Sequence, residues 1–211
     1  MKILVAGANG KTGKLIVEEL QKHTEYNPKA MIRKSEQRSY FEAREVETVV
    51  ADLEESITHA FEDVDAVIFA AAAGSGGHDV NAIDHLGVIK AVDEAKAKGI
   101  ERFILISSRY ADRPAEGPPF LKPYLEAKEK SDAYLEKSGL DYTIIRPGGL
   151  LDSEGTEHIQ AAFRVKGEVG MIPRADVAKV AVACLKEQGT IGKAFELVSG
   201  EDGIYDALKS V

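Results

Sequence analysis

The sequence predicts an α/β protein built on a doubly wound parallel sheet and folded as a single domain, residues 1–211, with a small C-terminal lobe. Three observations carry that expectation. Short apolar runs alternate with longer amphipathic segments; a glycine-rich turn joins the first apolar run to the first amphipathic one; and 211 residues suffice for one core and little more. With 44% hydrophobic and 29% charged residues, the composition excludes extended disorder.

Strands are expected at residues 3–6, 29–32, 48–51, 66–71, 102–107, 142–146 and 195–198, each a short run rich in aliphatic or β-branched side chains. Helices are expected at 13–22, 82–98, 123–137 and 175–187, where apolar residues recur three and four apart. Gly99 and Gly139 sit where helix C-caps belong. After Arg146 the run Pro147-Gly148-Gly149 opens a more polar stretch, and residues 150–211 are too few for a second core, so they read as a substrate lobe on the same domain. Residues 109–119, with Glu116-Gly117-Pro118-Pro119, and residues 153–158 read as rim loops.

The formal charge of −8, with no run of Lys and Arg, argues against a nucleic-acid partner. The single cysteine, Cys184, lies in an apolar stretch and excludes an internal disulfide or a cysteine-based metal cluster. The first apolar run is too short for a signal-peptide core, and the longest, 66–73, falls far short of the ~20 residues of a membrane helix. A cytoplasmic protein without a membrane association is expected. The five histidines are scattered; His78 and His85 lie near Asp79 and Asp84, which reads as polar residues at a helix start, and no metal is expected.

The turn Gly7-Ala8-Asn9-Gly10-Lys11-Thr12-Gly13 follows a strand and precedes a helix. There the first glycine permits a tight turn, the second lets backbone approach a pyrophosphate, and the third lets helix pack on strand. A phosphate-binding loop of the nucleotide-hydrolase type needs a glycine where Val5 stands. Near the end of the second strand the chain reads Met31-Ile32-Arg33-Lys34. An acid there would select NAD through the ribose 2′-hydroxyl, whereas Arg33 suits a 2′-phosphate, so NADP is expected over NAD; a solvated surface pair is the competing reading. Asp52, followed by Leu53, ends the third strand and serves either the adenine end of the ligand or a helix N-cap. Ala70, Ala71 and Ala72, with Ala73 and Gly74, are small enough for a dinucleotide to cross the backbone closely, or for a tightly packed apolar turn.

The fifth strand ends in Ser107-Ser108, and Tyr124 and Lys128 follow four apart on one face of an expected helix. A nearby ammonium favours the ionised phenol, so this pair suits proton transfer to or from a carbonyl, with the Ser108 hydroxyl polarising the same oxygen.

These residues together resemble the short-chain dehydrogenase/reductase superfamily, specifically its atypical NAD(P)-binding members of the NAD-dependent epimerase/dehydratase-like and NmrA-like kinds. The resemblance rests on the glycine turn, Arg33, Asp52, the Ser-Ser strand end, Tyr124 with Lys128, the run from Asp141 to Gly148, and Ile172-Pro173-Arg174-Ala175-Asp176-Val177-Ala178. It implies a Rossmann-type sheet, Tyr124 as acid/base, Lys128 holding the nicotinamide ribose and lowering the tyrosine pKa, and Ser108 on the substrate oxygen. It also implies cofactor contacts from Ser107 and from Pro147, Gly148 and Gly149. Asp176 would cap a helix, with orientation of the site lobe as a second role. Where the family's catalytic tetrad carries an asparagine, this chain has Asp84. The large C-terminal domain of sugar-nucleotide epimerases has no counterpart here.

The leading expectation is an NADP-dependent oxidoreductase that reduces a small carbonyl, quinone or flavin-like acceptor, as a monomer or homodimer. The alternatives are a non-catalytic NADP(H) sensor that changes its association with a partner, and a nucleotide-sugar epimerase or dehydratase.

Overall fold

The computed structural model describes residues 1–74, 79–167 and 170–211. The chain runs β1 (Lys2–Ala6), α1 (Lys11–Gln21), β2 (Asn27–Ile32), α2 (Arg38–Glu42), β3 (Glu47–Val50), β4 (Ala66–Phe69), α3 (Gly87–Ala97), β5 (Arg102–Ile106), α4 (Lys122–Glu136) and β6 (Asp141–Pro147). It continues through β7 (Gly149–Leu151), β8 (His158–Ala162), β9 (Met171–Pro173), α5 (Arg174–Ala183), β10 (Lys193–Ser199), β11 (Asp202–Gly203) and α6 (Ile204–Leu208).

The main sheet has the order β11-β8-β10-β6-β5-β4-β1-β2-β3. From β3 to β10, leaving out β8 and β11, every neighbouring pair is parallel. Because the chain moves outward from β1 to β2 and β3 and then returns to β4 on the other side of β1, the strand order reverses between β1 and β4. A crevice opens at their carboxyl ends, the place where doubly wound sheets bind ligands.

The strand period of two explains why helices cover both faces. In β1, Ile3 and Val5 face one core and Leu4 and Ala6 the other; β4 divides the same way, with Ile68 on the first side and Val67 and Phe69 on the second. The first core is closed by Ile16, Val17 and Leu20 of α1, by α5 and by α6. Val88, Ala91 and Val92 of α3, with Leu135 of α4, close the second. Strands buried on both faces read as unbroken apolar runs, which is why the parallel strands were visible in the sequence.

Residues from 150 onward divide. β10 lies parallel beside β6, β8 and β11 add antiparallel strands at that edge, and β7 and β9 form a separate two-stranded parallel sheet. Cys184 is buried just past α5, and burial pushes its thiol up to about 12, as expected of a packing residue.

Two boundaries differ from expectation with physical consequences. β4 ends at Phe69, because the backbone of Ala70 and Ala71 must pass directly against Gly7. The helix expected from residue 82 begins as a wider π-helical turn over Asn81–Leu86, and Asp84 within it is fully buried.

Candidate active site

At Gly7 the backbone takes φ +79°, and a Cβ there would sit 2.5 Å from the Ala71 Cα. Only glycine satisfies both the left-handed conformation and the close approach of the β4 exit. Gly13 is needed for a different reason. A Cβ on it would lie 2.2 Å from the Gly7 carbonyl oxygen, so its absence lets α1 seat against the turn. Gly10 faces the cleft, and a Cβ on it would meet one atom, the Gly7 oxygen at 3.2 Å. The first turn of α1 has no side-chain cap and no acidic residue, so its N–H groups and the positive end of its dipole are available to an anion.

A cleft of about 590 Å³ runs from this turn across the carboxyl ends of the strands. Gly7, Asn9, Gly10, Lys11 and Thr12 form its floor, with Ala70, Ala71 and Ala72 opposite and Arg33, Asp52 and Leu53 at one end. Arg33 is held there because Gln37 Oε1 accepts from the backbone N–H groups of Arg33 and Lys34 at 3.0 and 3.2 Å. Asp52 starts no helix; its carboxylate accepts from Glu54 N at 3.0 Å, closes a local turn and faces the cleft.

At the other end of the cleft lie Ser107, Tyr124 and Lys128. Tyr124, Lys128 and Asp132 recur at four-residue spacing along α4, so one helix face carries all three toward β5 and β6. Lys128 is 1% exposed; its Nζ donates to Ile106 O at 3.3 Å and lies 3.0 Å from Asp84 Oδ1. The other oxygen of Asp84 accepts from Ala73 N at 2.9 Å. Asp84 therefore stands behind Lys128, outside the cleft lining, and fixes its ammonium while anchoring the β4 exit. Its contact with the cleft lining runs through Lys128.

The net displacement of the Tyr124 phenol is upward. Burial raises its pKa more than the Lys128 ammonium and the Ser108 hydroxyl lower it, so the expectation that lysine brings it below free tyrosine is not met. The phenol is held protonated, the form that gives up a proton. For Lys128 burial acts downward, but Tyr124 and Asp84 outweigh it and its pKa rises. Asp132 pairs with the buried Arg146 at 2.8 Å, yet burial raises its carboxyl to about 6 against the pull of Arg146 and Ser107. The Ser107 hydroxyl lines the cleft and is buried, and beyond its pull on the Asp132 carboxyl it makes no well-formed hydrogen bond among the described residues. A buried, under-satisfied hydroxyl, a glycine floor and an uncapped helix start are what a dinucleotide would satisfy, and the residues present fit one.

Several expected site residues make contacts away from the cleft lining. Pro147, Gly148 and Gly149 lie outside the cleft lining. A Cβ on Gly148 would fall 2.1 Å from Gly170 O, and Gly149 N donates to that oxygen at 2.9 Å, so the glycines let the β6–β7 bend pack on Gly170. Ser108 also lies outside the lining, but its hydroxyl is close enough to act on the Tyr124 phenol. Asp176 caps nothing, since α5 starts at Arg174. Fully buried, it accepts from Thr156 N and Glu157 N at 2.9 Å each and so ties down the loop before β8.

Sequence reading assigned no site role to Arg174 or Leu150, which line the cleft, nor to Glu196. Glu196 is fully buried and holds Arg109 at 3.0 Å and Arg113 at 2.5 Å; Arg109 donates onward to Val165 O and Gly167 O at 2.8 and 2.6 Å. The segment after Ser108 is thereby fastened to residues 165–167. The partners are more than fifty residues apart, and no local pattern announces them.

His78 lies outside the described residues; His85 Nδ1 is 3.1 Å from Asn81 Oδ1 on the same turn. Among the described residues no group of three His, Cys, Asp or Glu side chains is gathered to hold a metal, and no helix is long and apolar enough to cross a membrane.

The profile of the NAD(P)H-binding family matches residues 7–188, from the first glycine of the turn to just past α5. The chain belongs to that family. Among its relatives is the Bacillus subtilis protein named uncharacterized sugar epimerase YhfK, 42% identical with both chains covered in full. A Bacillus halodurans protein of solved structure is 40% identical and superposes with a TM-score of 0.95, again over the whole of both chains. The oxidoreductase ylbE from Lactococcus lactis is 31% identical, with a TM-score of 0.86 over 100% of this chain and 96% of its own. The Rossmann-type architecture and the NAD(P)-binding family membership inferred from the motifs are thus those of the chain.

Proposed function

We propose that this protein is an NADP-preferring reductase of a small carbonyl, quinone or flavin-like acceptor. The observation that carries the reading is half-buried Tyr124 with buried Lys128, beside Ser108, at one end of a cleft whose floor is the glycine turn and whose other end bears Arg33. Arg33 favours NADP, because a guanidinium offers a 2′-phosphate paired donors that a 2′-hydroxyl cannot use. After β6, Leu150 adds an apolar side chain to the cleft lining, against which a substrate rests.

A bound nicotinamide supplies the hydride. The Ser108 hydroxyl donates to the acceptor oxygen and draws charge onto it, which makes its carbon electrophilic. The Tyr124 phenol, kept protonated by burial, gives its proton to that oxygen as negative charge develops there. Lys128, charged and fixed by Asp84, stabilises the phenolate left behind. Water then returns a proton to Tyr124.

The name of the Bacillus subtilis relative favours a second reading, sugar epimerisation. One experiment separates the two: NADPH oxidation against pooled quinones, flavins and aldehydes, with Tyr124→Phe beside the parent and nucleotide-sugar binding measured in parallel. The reductase reading expects turnover that collapses in Tyr124→Phe. Turnover equal in parent and variant overturns it, and conversion of a bound nucleotide sugar without acceptor reduction replaces it with epimerisation.

A further inference from the structure

The small sheet of β7 and β9 has no counterpart among the strands expected from sequence, and its register has a consequence at the cleft. Leu151 pairs with Pro173, so the next residues, Asp152 and Arg174, leave the sheet side by side. Asp152 Oδ1 accepts from Arg174 Nε at 2.7 Å, while Oδ2 pairs with Nζ of Lys11, the residue that follows the second glycine. Arg174 also reaches Thr12 Oγ1 at 3.4 Å. Both cations line the cleft next to the uncapped start of α1, so a single carboxylate neutralises two positive side chains where the helix N-terminus adds to their field.

A carboxylate in that position opposes binding of an anion to the glycine turn. Its own state is settled: Lys11 first, then Arg174, hold its carboxyl below the usual carboxylate range. The contacts are also easily exchanged, because Asp152 is 55% and Lys11 69% exposed, and pairs so wetted hold weakly. The diphosphate as a whole offers Lys11 and the Arg174 fork together more acceptor oxygens and more charge than one carboxylate does.

We propose that Lys11 and Arg174 are ligands of the dinucleotide's diphosphate and that Asp152 is a competing counter-ion that lowers affinity by occupying them. Binding exchanges the carboxylate for phosphate oxygens, and release is assisted by its return. The inference rests on reading the cleft as a dinucleotide site. It assigns the affinity for both nicotinamide nucleotides, though not the choice between them, to a residue outside the glycine turn.

The test is the dissociation constant of NADPH and of NADH, read by nucleotide fluorescence on the full chain, for the parent, Asp152→Asn and Arg174→Met. Asp152→Asn is expected to tighten both nucleotides by the same factor, about three- to tenfold at low salt, with the gain shrinking as ionic strength rises. Arg174→Met is expected to weaken both. An unchanged or weaker affinity in Asp152→Asn overturns the counter-ion, and an unchanged affinity in Arg174→Met overturns the ligand assignment. A gain confined to NADPH also overturns the proposal, because it would put Asp152 at the 2′-phosphate. A parent that binds neither nucleotide overturns the proposal together with the reading of the cleft, whereas normal binding by the parent with unmoved variants overturns the proposal alone.

Discussion

Replacing Gly13 by alanine tests the seating of α1 on the glycine turn. The added Cβ would lie 2.2 Å from the Gly7 oxygen and 2.8 and 2.9 Å from the Cα and oxygen of Ala8, all backbone atoms that cannot swing away. Relief requires α1 to move off the turn by about 1 Å, a distance at which close-packed contacts lose a quarter to a half of their dispersion energy. The helix buries Ile16, Val17 and Leu20 completely, so the loss falls on the core and not on solvent-exposed groups. Overpacking of this kind costs typically 1–3 kcal/mol, and with an unyielding backbone we expect about 3 kcal/mol. In a domain of this size that is a fall of about 6–12 °C in Tm. Gly10→Ala is the control. Its φ of −69° suits any residue and its Cβ would meet one atom at 3.2 Å, so it should cost under about 1 kcal/mol of stability yet obstruct the cleft floor and weaken NADPH binding. Urea unfolding and nucleotide fluorescence on both variants decide the matter. A Gly13→Ala protein within about 0.5 kcal/mol of the parent, or a Gly10→Ala protein equally destabilised, refutes the steric argument.

Three further outcomes are expected. Arg33→Ala should raise the NADPH dissociation constant by about ten- to a hundredfold and leave that of NADH within about twofold; equal losses would remove Arg33 from the 2′-phosphate. Asp84→Asn leaves the buried Lys128 charge without its partner and should cost about 3–5 kcal/mol in urea unfolding, most of it recovered in Asp84→Asn/Lys128→Met, where the charge is gone as well; a double variant no more stable than the single would show that the pair is not the cause. The carboxyl of Asp132 titrates near 6 when folded, above its ordinary 3.8, so the folded state holds that proton more tightly than the unfolded one. Its contribution is therefore most favourable below about pH 4 and is lost as pH rises to about 6, by up to about 3 kcal/mol. The stability difference between parent and Asp132→Asn, followed by denaturant unfolding across that range, should fall with rising pH; a flat difference refutes the assignment.

How much of this was legible in sequence depends on the distance over which each feature is determined. The parallel strands declared themselves because a strand buried on both faces is an apolar run, and the glycine turn because each of its three glycines answers a local constraint. The spacing of Tyr124 and Lys128 follows from one helical turn, and Arg33 from its place just past a strand. What stayed hidden has partners distant in the chain. The β7–β9 pair is three residues a side and stable only against the rest of the fold, so it carries no periodicity of its own. Glu196 and Asp176 are carboxylates buried only because folding brings them their partners, Arg109 and Arg113 for the first and the backbone of Thr156 for the second.

By itself the sequence determined the doubly wound architecture, the glycine turn after the first strand and the residue types at the strand ends, because local pattern and chain order suffice for those. Only the tertiary structure decided what each group experiences. It set the protonated phenol of Tyr124, the bond from Asp84 to Lys128 in place of a group at the cleft surface, and the packing role of Gly148 and Gly149. It also brought Asp152 and Arg174 to the glycine turn. Burial, charge proximity and backbone clearance are properties of atoms distant in the chain and close in space, and no stretch of sequence contains both.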